Sequence, residues 1–228
     1  MKVIELESVD KIFNPGEPNQ FQALYEVSLK VNPQTITVIG GPSGSGKTTL
    51  LSIVGLMSRA TAGRVKILEN ETTLLSERFR TLFRRRHIGF LFQEFNLIPD
   101  LTVEENINIV LYPEGIRFSQ LQERSSTLLK KFEIFDKVGV KASTLSGGEK
   151  QRLALVRSLM ANPEILLVDE PTAHLDTKLS AEVIQAFNKL KEEGKTLLIC
   201  SHDPLIVESD LPDRVLYMND GVLSEMKK

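Results

Sequence analysis

Residues 35 to 54 read TITVIGGPSGSGKTTLLSIV, and three kinds of chain follow one another within them. Thr35 to Ile39 is a short apolar, β-branched run, the pattern of a strand covered on both faces. The next seven residues, Gly40 to Gly46, include four glycines, which let the backbone turn sharply and leave its N–H groups bare. From Thr48 the chain becomes an apolar helical pattern. Gly41 to Thr48 fit G-x-x-x-x-G-K-[ST], and a strand before with a helix after is the context that gives this pattern its meaning. Gly41, Pro42, Ser43, Gly44, Ser45 and Gly46 then form a loop whose N–H groups converge on phosphates, assisted by the dipole of the helix that opens at Lys47, Thr48 and Thr49. Lys47 is expected to reach the β- and γ-phosphates, and the Thr48 hydroxyl to ligate Mg²⁺. The bland alternative, a glycine turn carrying a surface lysine, is much the weaker one in this setting.

Outward from that stretch, two further apolar runs, ILLVDE (165–170) and TLLIC (196–200), suit core strands, and IGFLFQ (88–93) is another candidate. The N-terminal part reads as antiparallel β: Ile4 to Val9, the loop NPGEPNQ, then Val27, Leu29 and Val31 alternating with polar residues. RVKIL (64–68) is expected to be a strand and ERFRTLFRRR (77–86) a charged helix with a solvated arginine face. From Leu101 to Phe135 the pattern is helical. Thr102 and Glu105 form a capping box there, and Phe118, Leu121, Leu128, Leu129 and Phe132 give one apolar face. The segment RVLYMNDGVLSE (214–225) predicts a hairpin turning at Asn219-Asp220-Gly221. The expected fold is α/β: a mainly parallel core, an antiparallel N-terminal layer and a helical insert near residues 95–158, in one domain spanning 1–228.

Four chemically distinctive side chains stand where three core strands end, the edge at which α/β sheets bind ligands. Asp169 and Glu170 close ILLVDE before Pro171 stops the strand. Asp169 suits the Mg²⁺ shell, and Glu170 is placed to orient or deprotonate an attacking water. By itself such a pair is as often a solvated strand end; beside a phosphate loop, the catalytic role dominates. Gln93 can touch Mg²⁺ or the water without adding charge, and His202 can donate a hydrogen bond to a γ-phosphate. Taken singly, each is more often structural. His87, behind Arg84 to Arg86, is expected to be exposed, and His174 carries no assignable chemistry. Phe13, ahead of the loop NPGEPNQ, either stacks on a nucleobase or belongs to the core.

LSGGEKQR (145–152) poses a separate question. Ser146 and Glu149 fit S-x-x-E, a capping box for the helix that follows. Capping does not account for Gly147 and Gly148, two glycines that weaken a first turn. Bare N–H groups beside a helix N-terminus and a serine hydroxyl suit a close-approaching anion. One nucleotide already has its cradle at Gly41–Thr49, so this second one is expected to serve the nucleotide of another chain.

Bulk composition narrows the function class. The 228 residues carry 28 basic and 30 acidic side chains, a net charge of −2, which gives no basic footprint for nucleic acid. The single cysteine, Cys200, excludes an internal disulfide. The first residues have acids where a signal peptide needs an apolar stretch. No apolar run approaches the roughly 20 residues that span a bilayer, so any membrane role is expected to come from another subunit.

Together these motifs resemble the ATP-binding subunits of ABC transporters over essentially the whole chain. GPSGSGKT resembles the Walker A motif, Gln93 the Q-loop, LSGGEKQR the signature motif and ILLVDE the Walker B motif. HLD, ending at Asp176, is similar to the D-loop, Ser201-His202-Asp203 to the switch-histidine region, and Phe13 to the base-stacking aromatic. The resemblance implies ATP and Mg²⁺ as cofactors and a head-to-tail homodimer in which each ATP lies between one Walker A loop and the partner's signature loop. It also implies an integral membrane permease in a separate chain and a peripheral place on the cytoplasmic face of the cell membrane. RRRHIGFLFQEFNLIPDLTVEENI looks like the lipoprotein-releasing and macrolide-exporter type, whose cell-division relatives leave mechanical regulation as the alternative output. Two departures stand out: Glu149-Lys150 where glutamines are common, and Ala173-His174 in the D-loop.

Overall fold

The computed structural model describes residues 2–173 and 175–225; His174 lies outside the described residues. Four strands, β1 (Ile4–Phe13), β2 (Phe21–Val31), β4 (Ala62–Ile67) and β5 (Asn70–Glu71), form an antiparallel sheet in the order β2-β1-β4-β5. A six-stranded sheet holds β3 (Ile36–Gly40), β6 (Ile88–Leu91), β7 (Ile165–Asp169), β8 (Thr196–Cys200), β9 (Arg214–Asn219) and β10 (Val222–Glu225), in the order β10-β9-β3-β8-β7-β6. All its pairings are parallel except β9 with β10. Those two strands are joined by Asp220 and Gly221, at φ 45° and 76°, the double left-handed step of a two-residue hairpin.

Why the parallel strands are apolar throughout is visible in where alternate side chains go. Val38, Leu166, Val168, Leu197 and Ile199 enter one core with the helices α3 (Val103–Asn108), α4 (Phe118–Lys131), α5 (Gly147–Leu159) and α6 (Thr177–Glu192). Ile39, Leu167, Leu198 and Cys200 enter a second core with β1, β2 and α1 (Lys47–Val54). Each such side chain contributes about 1.5–3 kcal/mol on burial. Phe187, fully buried on α6, is the bulkiest of the completely covered side chains, and its truncation to alanine would cost about 3–5 kcal/mol.

The expected helical stretch 101–135 is interrupted. Pro113 and Gly115, the latter at φ 62°, confine Tyr112–Glu114 to one 3-10 turn between α3 and α4. Thr102 and Glu105 do form the capping box. On α4, Leu121 and Leu129 are buried, whereas Phe118 is exposed. The charged helix α2 (Glu77–His87) is less solvated than its composition predicts. Arg80 is buried, donating to the Ser58 carbonyl and Glu77, and Arg84 donates to the Leu56 carbonyl. His87, expected to be exposed, is half-buried: it pairs with Glu164 at 2.9 Å and its ring tilts against Phe83. Long arginine stems can cover the chain beneath while their heads find carbonyls, which composition cannot reveal.

Candidate functional site

The loop between β3 and α1 is positioned by close packing against β9. Gly41 has φ 138°, and a Cβ there would lie 2.1 Å from the Met218 carbonyl oxygen, so only glycine fits. Gly46, at φ 107°, is the N-cap of α1 and supplies no side-chain acceptor, so the helix opens with its N–H groups uncapped by its own chain. Lys47 is buried, and its ammonium donates to the carbonyls of Gly41 at 2.7 Å and Pro42 at 2.9 Å. The Ser45 hydroxyl oxygen is buried without a partner.

The order of the sheet places β3, β8, β7 and β6 side by side, so their C-terminal ends share one edge. Asp169 is the last residue of β7. Burial pushes its carboxyl above the usual range, a hydrogen bond from Thr48 opposes the rise, and the charge of Glu170 adds to it, while Lys47 counters. Its Oδ1 has no hydrogen-bond partner. A buried, unpartnered carboxylate oxygen beside a threonine hydroxyl is the donor set of a hard divalent cation such as Mg²⁺. Among the described residues no group of three His, Cys, Asp or Glu side chains forms a metal site of the other common kind.

Glu170 comes just after β7 with φ 43°, an unfavourable backbone for a non-glycine residue that its surroundings must hold in place. Its Oε2 accepts from the Ser201 hydroxyl and the His202 backbone N–H, both at 3.2 Å. Its Oε1 lies 2.9 Å from His202 Nδ1 and 3.7 Å from the Lys47 ammonium. Four groups, three from just past β8 and one from the start of α1, thus converge on one carboxylate. Ser201, fully buried, is a part of this cluster that strand-end reasoning did not weigh by itself. Next to it, the Thr172 hydroxyl donates to Asp203 at 2.5 Å and fixes the turn after Glu170 against the start of α7 (Pro204–Val207).

A cleft of about 200 Å³ opens here, lined by Ser43, Gly44, Gly46, Lys47, Thr48, Thr49, Gln93, Glu170 and His202. A larger cavity of about 370 Å³ lies between α5 and α6, where Leu155, Leu179 and Val183 share the walls with Lys131, Arg152 and Glu182; none of Lys47, Glu170 and His202 lines it. Gln93 is exposed and lies two residues beyond β6, which ends at Leu91 rather than at Gln93. The aromatic wall of the cleft is Phe21, which sequence reasoning passed over; Phe13 is its cross-strand partner, with the Lys11 ammonium 4.8 Å over its ring. An aromatic opening a strand after a polar loop was the available signal.

Ser146, Gly147, Gly148 and Glu149 do not line this cleft. The Ser146 hydroxyl accepts from Glu149 N–H and the Glu149 carboxylate accepts from Ser146 N–H at 2.7 Å, a complete capping box at the start of α5. These hydrogen bonds, then the Lys137 ammonium 3.3 Å away, hold the Glu149 carboxyl below its usual range. The paired glycines have different reasons. A Cβ on Gly147 would meet nothing within 4 Å, whereas one on Gly148 would press on Leu179 at 3.0 Å. The Leu179 side chain crowds the second glycine, whereas a side chain at the first would begin in open space.

Residues 24–173 match the protein-family model described as ABC transporter. The chain is 40% identical to an uncharacterized ABC transporter ATP-binding protein of Thermotoga maritima, over 91% of this chain and 88% of that one. It is 38% identical to the lipoprotein-releasing system ATP-binding protein LolD 1 of Caulobacter vibrioides, over 97% and 94%. Against the macrolide export ATP-binding/permease protein MacB of Hahella chejuensis it is 35% identical but spans 33% of that protein's length. Among solved structures, the dimeric post-hydrolysis state of the cassette MJ0796 of Methanocaldococcus jannaschii, bound to ADP and Pi, superposes with a TM-score of 0.88 at 36% identity, covering 99% of both chains. The phosphate loop, the buried carboxylates at the sheet edge and these likenesses agree: this chain belongs to the ABC transporter family, as an ATP-binding and ATP-hydrolysing cassette.

Proposed function

We propose that this cassette, as one domain with a helical part near residues 95–158, dimerises head to tail around two ATP molecules. In that dimer it drives a membrane permease carried in a separate chain. The observation that carries the reading is the separation of two anion-binding elements: the Ser146–Glu149 loop does not line the cleft that gathers Lys47, Thr48, Gln93, Glu170 and His202. A loop that cannot serve its own chain's nucleotide is free to close over a partner's.

Within each cleft the backbone of Gly41–Gly46 holds the phosphates of ATP, and Lys47 turns from the Gly41 and Pro42 carbonyls toward the β- and γ-phosphates. The Thr48 hydroxyl, Asp169 and Gln93 would hold Mg²⁺, whose charge offsets that developing on the phosphate oxygens. Glu170 accepts a proton from the attacking water, with one oxygen anchored by Ser201 and the His202 N–H so that the carboxylate keeps its aim. His202 passes from Glu170 toward the γ-phosphate when ATP is present, and Phe13 with Phe21 supports the base by stacking. From the partner chain, Ser146, Gly147, Gly148 and Glu149 complete the cage.

The relatives' names, a lipoprotein-releasing ATP-binding protein and a macrolide export ATP-binding/permease protein, support an export or lipoprotein-release role; a peripheral place on the cytoplasmic face of the membrane is part of the same proposal. No described helix is long and apolar enough to cross a membrane; what supports a permease in a separate chain is the likeness to LolD 1, named as an ATP-binding protein and matched over 94% of its length. Lys47→Ala is expected to weaken ATP binding and abolish hydrolysis, because the motif's fixed cation at the β- and γ-phosphates is gone. Wild-type turnover in that variant would overturn the site. Copurification of the tagged cassette from membranes with an integral membrane protein tests the coupling; a cassette found bound only to soluble partners refutes it.

A further inference from the structure

Two consecutive residues just past Gln93 stand in left-handed backbone, Phe95 at φ 58° and Asn96 at φ 50°. Asparagine tolerates this conformation, but an aromatic residue adopts it only when its surroundings impose it. The Phe95 N–H donates to the Phe92 carbonyl at 3.1 Å, which makes Gln93 and Glu94 the central pair of a closed turn. Arg157, in the last turn of α5, holds that turn from outside. Its Nη2 donates to the Phe95 carbonyl at 2.6 Å and its Nη1 to the Asn96 carbonyl at 2.5 Å. A rigid guanidinium fork is matched to two adjacent acceptors in a way that a single ammonium is not.

We propose that Arg157 is a positioning residue for Gln93, fixing the turn that presents Gln93 to the nucleotide cleft. Because α5 opens at the Ser146 cap and ends at Leu159, the group that aims Gln93 in a chain's own cleft rides on the helix that offers the Ser146 loop to the partner's cleft. Displacement of α5 by closure over the partner's nucleotide is thereby transmitted to Gln93. The proposal rests on Gln93 acting at the metal or the attacking water.

The test uses Arg157→Lys, which keeps the charge and loses the fork, Asn96→Val, which disfavours the left-handed step at an exposed position, and Asn96→Gly, which permits it. In the nucleotide-free protein, amide exchange at Phe95 is expected to rise about tenfold or more in Arg157→Lys and Asn96→Val, with Asn96→Gly near wild type. With ATP·Mg²⁺, the first two should lose about tenfold in kcat with KM within about twofold. In a Gln93→Ala background the same substitutions should add less than about twofold, since their effect passes through the missing side chain. An undiminished tenfold loss in that background overturns the proposal, as does wild-type kcat in both Arg157→Lys and Asn96→Val. If Arg157→Lys does not fold, Asn96→Val decides in the same way. Wild-type kcat in Gln93→Ala alone instead overturns the role of Gln93 and this proposal with it, whereas loss in Gln93→Ala beside wild-type Arg157→Lys and Asn96→Val overturns only the positioning.

Discussion

Replacing Glu170 by glutamine separates binding from chemistry, and the structure fixes how the amide must sit. The carboxylate's Oε2 faces two donors, the Ser201 hydroxyl and the His202 N–H, each at 3.2 Å. The amide oxygen therefore takes that place, and its NH₂ group replaces Oε1. There it meets His202 Nδ1, which adapts by presenting its lone pair, and the Lys47 ammonium, a donor that cannot. The exchange converts charge-assisted hydrogen bonds, worth about 1.5–3 kcal/mol, into neutral ones worth about 0.5–1.5. A stability loss of about 1–2 kcal/mol follows, and at about 2–4 °C per kcal/mol for a chain of this size the Tm falls by several degrees. Loss of the proton acceptor costs about 10²–10⁴ in turnover, which is about 2.7–5.5 kcal/mol on the barrier. ATP affinity should stay within about threefold, because the glycine loop, Lys47 and Thr48 are untouched. Single-turnover hydrolysis, a fluorescent-nucleotide Kd and gel filtration with ATP·Mg²⁺ measure the three parts, and an ATP-dependent dimer should accumulate. Turnover within about threefold of wild type would refute the role of Glu170, and a monomer at saturating ATP would count against the shared-site dimer.

Ser146→Arg should bind ATP nearly as wild type yet fail to dimerise and hydrolyse, whereas a mere helix cap would lose only about 1 kcal/mol of stability and keep its turnover. Recovered ATPase on mixing Lys47→Ala with Ser146→Arg, above both separate proteins, would show action between chains; wild-type turnover in Ser146→Arg alone refutes it. Phe13→Ala and Phe21→Ala should each raise the Kd for ATP, by about 1–3 kcal/mol for whichever ring stacks on the base. Normal ATP binding in both, with a lowered Tm, would make the two rings purely structural. The Glu105 and Glu149 carboxyls are held below their ordinary value of 4.5, foremost by the N–H groups of Thr102 and Ser146. Their capping contribution is therefore full above pH 4.5 and disappears as pH falls through the lower folded value. The Tm gap between wild type and Glu105→Gln or Glu149→Gln should close on acidification, and a gap constant from pH 7 to 3 refutes that sign.

What the sequence alone determined is what neighbours along the chain decide. The strand–glycine–helix succession at 35–54, the two capping boxes and the Asp220-Gly221 turn are all settled within a few residues, by φ preferences and by hydrogen bonds that span three positions. The continuous apolar runs likewise announced strands covered on both faces. Tertiary structure decided everything that depends on which strand lies beside which. Glu170 meets Ser201 and His202 because β7 pairs with β8, 31 and 32 residues on. Phe21 lines the cleft beside Phe13 through the β1–β2 register, and Gly148 is small because α6 brings Leu179 against it. The arginines of α2 and α5 look like surface charge in one dimension. Their partners are backbone carbonyls such as those of Ser58 and Phe95, and a carbonyl has no letter in the sequence. Periodicity tells which side of an element turns inward; only the packed chain tells what it meets there.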